Sequence, residues 1–473
     1  MEEKTMQKTV EEAGKSGNPL GSRKVTSLLR QFAIPSIVAM MVSSLYNVVD
    51  QIFIGQGVGY LGNGATNVAF PFSTICMAIA LLVGIGSASS YSLYLGRGEE
   101  KKAKECVGNG VFMMVTLGVL YAILVEIFLV PLLWVFGATD NNIGYAIEYM
   151  RIIAIGMPLL VVTNGTCNLI RADGSPKFSM ACMVTGAVIN MILDPIFILA
   201  LDMGMTGAAL ATVISQVISC GMAVSYYRRF KHVKLDIRSF TIRPRECAKQ
   251  ASYGLSNSLN QLAITVVQIV MNQTLLYYGA RSVYGADIPQ SACGVVFKIN
   301  SLFLAVFIGL SQGSQPIVGF NYGAKQYKRV RDTYKCAILV AFVVGLIGVG
   351  CFHIFSHQLI SLFGSGDALY YQFAEKFMKT YLMMMPAIGI QLVSANFFSA
   401  IGKPGRGVIL SLSRQILFLI PLLIVFPMIW GIEGVMYTAP ISDSVSCLLS
   451  VCLILVEFAA MHREERATAS SAE

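Results

Sequence analysis

Twelve apolar runs long enough to cross a bilayer set the terms for this chain. A helix needs about 17–25 predominantly apolar residues to span the hydrocarbon core. Runs of that kind fall at 28–54, 66–92, 107–131, 143–169, 179–201, 205–227, 248–278, 290–318, 334–355, 370–398, 407–429 and 433–459, here called spans 1 to 12. Of the 473 residues only 13% are charged, against about 25% in soluble domains. A soluble chain of this length would need a charged surface over two or three domains. Lipid must be the solvent instead, and the expected fold class is all-α integral membrane. Prolines inside the spans (Pro35, Pro71, Pro158, Pro195, Pro316, Pro386, Pro421 and Pro440) predict kinked helices.

The placement of charge predicts the topology. Most of the 35 Lys and Arg lie in the tails and the even-numbered connections, while the opposite loops hold only Arg281. By the positive-inside rule both termini are cytoplasmic. The net charge of +9 is therefore a topology signal, and no nucleic-acid partner is expected. Residues 1–27 are polar with no apolar signal-peptide core and read as a flexible tail, as do 461–473. The 11 Cys form no CxxC pair and read as small apolar packers, not a disulfide framework or metal site.

The chain repeats itself. Shifted by 227, the stretch 204–220 lies over 431–447, matching Gly204 with Gly431, Gly207 with Gly434, Ser215 with Ser442 and Cys220 with Cys447. The same shift lays Gly86-Ser87 over Gly313-Ser314 and Gly96 over Gly323; a shift of 228 lays Gly174-Ser175-Pro176 over Gly402-Lys403-Pro404. The offset holds an even number of spans, so the halves share one orientation. An N-lobe (28–235, spans 1–6) and a C-lobe (236–460, spans 7–12) are expected as two six-helix bundles related by a pseudo-two-fold parallel repeat. That architecture suits alternating access and fits a channel poorly.

No HExxH, Walker loop or Gly-rich strand-to-helix turn is present, so the chain is not expected to be an enzyme or to use ATP. Transport energy would come from an ion gradient. A charge at the bilayer centre costs about 2.5–3.5 kcal/mol and usually marks an ion or substrate path. Span 1 holds Asp50, with Tyr46 and Asn47 on the same helical face. Span 4 offers Asn164 and Asn168, four apart. In span 5 Asn190 and Asp194 share a face, and Pro195 frees the Met191 carbonyl. Span 6 adds Thr212. Such an oxygen-rich set suits a hard cation such as Na⁺; the same carboxylate pair could hold a proton. Each of these groups could instead be a satisfied interhelical hydrogen bond. In the second half the repeat partners of the two acids are apolar, near Ile269 and Leu422. Lys298, Arg414 and Asp443 stand there instead. Arg414 with Asp443 could form a buried charge network, or Lys298 or Arg414 could contact substrate. Candidate cavity residues are Asn47, Asn168, Lys298, Arg414, Met41 and Gln268, the Met-rich stretches supplying an adaptable lining.

These stretches carry a family resemblance. IPSIVAMMVSSLYNVVDQIFIG in span 1, GSASSYSLYLGRGE closing span 2, IRADGSPK after span 4, NMILDPIFI in span 5, GSQPIVGFNYGAKQ closing span 8 and AIGKPGRG after span 10 resemble the MATE (multidrug and toxic compound extrusion) family, nearest its bacterial DinF and MepA-like branch. The resemblance covers about 25–460. It implies twelve helices in two lobes, and a monomeric, multi-pass protein of a bacterial inner membrane. It also implies export of amphipathic, cationic drug-like molecules in exchange for Na⁺ or H⁺, with no other cofactor. In DinF-like relatives a helix 1 Asp, a helix 4 Asn, a helix 5 Asn and Asp and a helix 6 Thr form a cation site. Those types fall here at Asp50, Asn164, Asn190, Asp194 and Thr212. Other branches use carboxylates on helices 7 and 8. Span 7 has no acid and span 8 carries Lys298, which points the site to the N-lobe. The alternative in the same superfamily is a lipid-linked oligosaccharide or lipid II flippase.

Overall fold

The computed structural model describes residues 18–235, 242–285, 287–362 and 368–470. Each expected span is a helix: α1 (Val25–Gly57), α2 (Tyr60–Gly96), α3 (Glu100–Val135), α4 (Ile143–Ala172), α5 (Pro176–Ala200), α6 (Gly204–Ser225), α7 (Pro244–Gly279), α8 (Asp287–Gly323), α9 (Tyr327–Ile354), α10 (Ala368–Tyr381 and Met385–Ala400, bent by 47°), α11 (Pro404–Trp430) and α12 (Ile432–Ser470). No strand occurs among the described residues. The protein is a multi-pass membrane protein.

Three of the eight prolines break the regular ladder. Pro195 opens a π-helical stretch to Ala200, in which the Leu201 amide reaches back to Ile196. Pro421 follows a second π-helical stretch, Ser413–Leu419. Pro386 sits at the start of the second limb of α10. Each lacks the N–H that would continue the α pattern. Pro35, Pro71, Pro158, Pro316 and Pro440 lie inside continuous helices.

The tails depart from expectation. Residues 1–17 lie outside the described residues. The stretch that follows is not a free tail: Pro19–Ser22 is a short helix capped by Asn18, and Leu20 is buried. The Leu20 carbonyl accepts from Asn321 at 3.0 Å and from Arg329 at 3.1 Å. At the other end α12 continues through 461 to Ser470, held by Arg331 on Glu465 at 2.9 Å and by Tyr327 on Glu464.

The repeat is visible in backbone detail. After α4 and after α10 the chain turns through a glycine with positive φ, Gly174 (+84°) and Gly402 (+74°). The next amide returns to the helix in both cases, Ser175 to Ile170 at 3.1 Å and Lys403 to Phe398 at 2.9 Å. Any side chain at that φ would be strained. The charges anchoring the two turns are reversed. Asp173, fully buried, accepts from the Tyr91 hydroxyl at 2.7 Å, the Tyr226 hydroxyl at 2.8 Å and the Lys231 amide at 2.7 Å. In the second half the turn supplies cations instead: Lys403 (2.6 Å) and Arg406 both reach the buried Glu457 of α12. Asp173→Ala takes the acceptor from the buried Tyr91 hydroxyl and removes a partner of the Tyr226 hydroxyl and of the Lys231 amide, so it is expected to lower unfolding stability by about 3 kcal/mol, read as a thermal shift of purified protein.

Buried apolar side chains form two main cores. One draws on α2 to α6, including Phe72, Tyr91, Met114 and Leu133. The other draws on α7 to α12 together with Leu28, Leu29, Phe32 and Ala33 of α1. Between them the chain makes a seal at the end that carries the termini. There α2 lies against α7 so closely that a Cβ on Gly86 would sit 2.0 Å from the Gln250 carbonyl, and one on Gly254 1.9 Å from that of Leu82. The repeat-related contact joins α8 to α1, where a Cβ on Gly313 would meet the Ala33 Cα at 2.6 Å. Gln315 of α8 donates to Ser89 of α2 at 2.7 Å, and Ser87 of α2 to Gln250 of α7 at 2.9 Å. Farther along, the lobes meet at Ser44 and Ser301, 3.1 Å apart. A central cleft lies above this seal.

Candidate functional site

Asp50 sits about two turns before the end of α1 at Gly57, nearer the end away from the termini than the middle of the bilayer. Asp194 is the last regular α-helical residue of α5 before the π-helical stretch. The register of α1 against α5 sets their carboxylates beside each other. Asp194 and Asn190 are buried. The Asn190 amide nitrogen lies 3.2 Å from Asp194 Oδ1 and 3.4 Å from Thr212 Oγ1 of α6. Tyr46, one turn before Asp50, stands beside both acids. Tyr149 of α4 stands there too. Sequence reasoning missed it; its signal was weak, a tyrosine about four turns from Asn164 near an end of the span.

Three oxygens in this cluster have no hydrogen-bond donor: Asp50 Oδ1, Asp194 Oδ2 and Asn190 Oδ1 are buried and unpartnered among the described residues. Buried polar atoms are nearly always satisfied. Two facing carboxylates repel unless a proton is shared or a cation lies between them. The donor set is two carboxylates, an amide oxygen and a hydroxyl, which is chemistry for a hard cation or a proton.

The other sequence candidates scatter. Asn164 lines the central cleft and donates to the Leu160 carbonyl of its own helix at 3.0 Å; no contact joins it to the acid pair among the described residues. Asn47 does not share the site with Asp50: it is exposed, and its amide donates to the Ser43 carbonyl at 2.7 Å. Met41 gives way to Met40 as the α1 methionine in the cleft wall. Lys298 is exposed and absent from that wall. Asn168, Gln268 and Arg414 do line it.

The cleft holds about 530 Å³ between the lobes. Its wall is apolar (Phe70, Met77, Leu81, Phe297, Leu304) and studded with amides, among them Asn257, Asn260, Gln261 and Gln415. Arg414, in the π-helical stretch of α11, reaches Asp443 of α12 with its Nε at 2.6 Å. This is the buried network that the sequence offered as one of two readings. Removing one partner of a buried pair costs about 3–5 kcal/mol, and replacing both is often neutral. Arg414→Met is therefore expected to destabilise the protein by that amount, and Asp443→Leu added to it to restore most of the loss, measured as a double-mutant cycle on thermal stability.

Arg171 is the cleft residue that sequence reasoning misplaced. Its place just beyond span 4 puts it with the cations of an even-numbered connection, yet it lies in the last turn of α4, is 3% exposed, and faces the cleft floor. Span 4 ends at Leu169, so Arg171, two residues on, reads as loop.

The MatE family model matches residues 35–196 and 257–425. The multidrug export protein MepA of Staphylococcus haemolyticus (strain JCSC1435) is 24% identical over 432 residues, covering 90% of this chain and 92% of its own. A solved MATE in complex with MaL6 superposes with a TM-score of 0.88 at 23% identity, covering 95% of this chain and 99% of that one. A multidrug resistance MATE transporter of the MOP superfamily, solved in an outward-facing conformation, gives 0.87 at 23% identity with the same coverage.

Proposed function

The chain belongs to the MatE family, and we propose that it is a secondary active antiporter that exports amphipathic organic compounds in exchange for Na⁺ or H⁺. The observation that carries this reading is the cluster of unpartnered buried oxygens on Asp50, Asp194 and Asn190. In this reading the protein is a monomer in a bacterial inner membrane, with both termini cytoplasmic by the positive-inside rule. The seal then closes the cytoplasmic end and the cleft faces outward.

α1 links the parts. It carries Asp50 in the ion site, Met40 in the cleft wall and Ala33 in the seal. Entry of a proton or Na⁺ removes the repulsion between Asp50 and Asp194 and draws α1 toward α5 and α6. That movement reshapes the cleft and releases cargo outward. The empty cleft then opens to the cytoplasm, where new cargo binds and the ion leaves. The ion drives the switch only by binding one state more tightly than the other. Among the described residues of the cleft wall Asp443 is the one carboxylate, and it is paired to Arg414. The test is dye efflux from proteoliposomes under an imposed Na⁺ gradient or pH gradient, each alone. One of the two must drive efflux above the rate of empty liposomes; if neither does, the antiporter reading fails.

A further inference from the structure

The cleft floor holds a charge that the ion site does not use. Arg171 Nη1 donates to Ser179 Oγ at 3.1 Å; Nη2 donates to Asn168 Oδ1 at 2.6 Å and to Gln312 Oε1 at 2.9 Å. All three acceptors are neutral, and no carboxylate pairs with Arg171 among the described residues. Neutral acceptors satisfy the N–H groups and leave the charge uncompensated. A buried ion without a counter-charge carries an effective penalty of several kcal/mol. Arg414 is already neutralised by Asp443, so Arg171 gives the cleft wall its net charge. The guanidinium fork fits a carboxylate, sulfonate or phosphate.

The partner at Nη2 is placed across the seal. Arg171 belongs to α4 and Gln312 to α8, so parting the lobes at the end that carries the termini breaks that bond. We propose that Arg171 is the anion-recognising group of the cargo site. With the lobes parted it pairs with the acidic group of an amphipathic substrate; as the seal closes, Gln312 Oε1 takes the place of that group on Nη2. The cargo is then an amphipathic anion or zwitterion. This rests on the alternating-access reading above.

The probes are pyrenebutyrate and its trimethylammonium counterpart, which share one aromatic body and differ in charge. Their fluorescence reports binding to purified protein in nanodiscs. Wild type is expected to favour the anion, and Arg171→Gln to cut the anion-to-cation affinity ratio about tenfold or more, with Arg171→Lys intermediate. Tenfold corresponds to about 1.4 kcal/mol. Gln312→Ala keeps the guanidinium and removes its competitor, so it is expected to raise the ratio, which a merely structural arginine would not do. A wild-type preference for the cation overturns the proposal, as does a ratio unmoved in both Arg171→Gln and Gln312→Ala. The antiporter reading is scored separately: gradient-driven movement of the cationic probe without charge preference sinks the anion site and leaves the exporter standing. Translocation of fluorescent phosphatidate that falls in Arg171→Gln assigns the anion to a lipid headgroup. Loss of pyrenebutyrate export alone assigns it to a free amphiphile.

Discussion

Asp50→Asn is expected to reduce gradient-driven export to the rate of empty liposomes while the protein stays folded. The substitution keeps the shape of the side chain and removes its charge. Without that charge the facing Asp194 has no repelling partner, so the arrival of an ion no longer changes the force between α1 and α5. Folding should not suffer. Two buried carboxylates in mutual reach each carry a desolvation penalty, and replacing one by an amide relieves part of it. The apparent Tm of Asp50→Asn is therefore expected at or above that of wild type. Asp194→Asn should behave alike, because the pair acts as a unit. Full efflux in Asp50→Asn, or loss of efflux accompanied by collapse of Tm, would sink this account of the site.

The second large effect is expected in the seal. Gly86 and Gly254 let α2 and α7 touch backbone to backbone, and a Cβ at either would lie about 2 Å from a carbonyl oxygen. Carbonyls of a helix cannot rotate away as a side chain can. Gly254→Leu must push the two helices apart, and with them the ends of the lobes that carry the termini. Export is expected to fall to background, because the outward-open state needs that end closed. The structural readout is the distance between spin labels placed at Arg97 and Arg245, both exposed at the ends of α2 and α7. It should lengthen and broaden in Gly254→Leu. An unchanged distance would show that the glycines are not what allows closure.

The helices were legible because lipid imposes a simple rule: each span must be long, apolar and internally hydrogen-bonded. The repeat was legible through glycines whose backbone demands no other residue meets, such as Gly174 and Gly402. The pairing of Asp50 with Asp194, and of Arg414 with Asp443, followed from the rarity of charge in an apolar span. What the sequence hid was rotation and depth. Asn47 is three residues from Asp50, yet its amide is spent on its own helix. Asn164 is spent likewise, on Leu160. Lys298 falls inside a span and still lies outside the cleft wall. Arg171 shows the converse error: a cation two residues beyond an apolar run reads as loop, though α4 carries it to the cleft floor. One-dimensional hydropathy marks where apolar residues stop, not where the helix stops.

The central claim is that the N-lobe acid pair exchanges an ion for cargo. The most direct measurement adds transported dye to purified protein in weakly buffered solution and follows proton release with a pH indicator, and ²²Na⁺ release in parallel. Wild type is predicted to release one of the two ions on dye addition, and Asp50→Asn/Asp194→Asn to release neither. Dye binding to wild type without release of either ion, or undiminished release from the double variant, would contradict it.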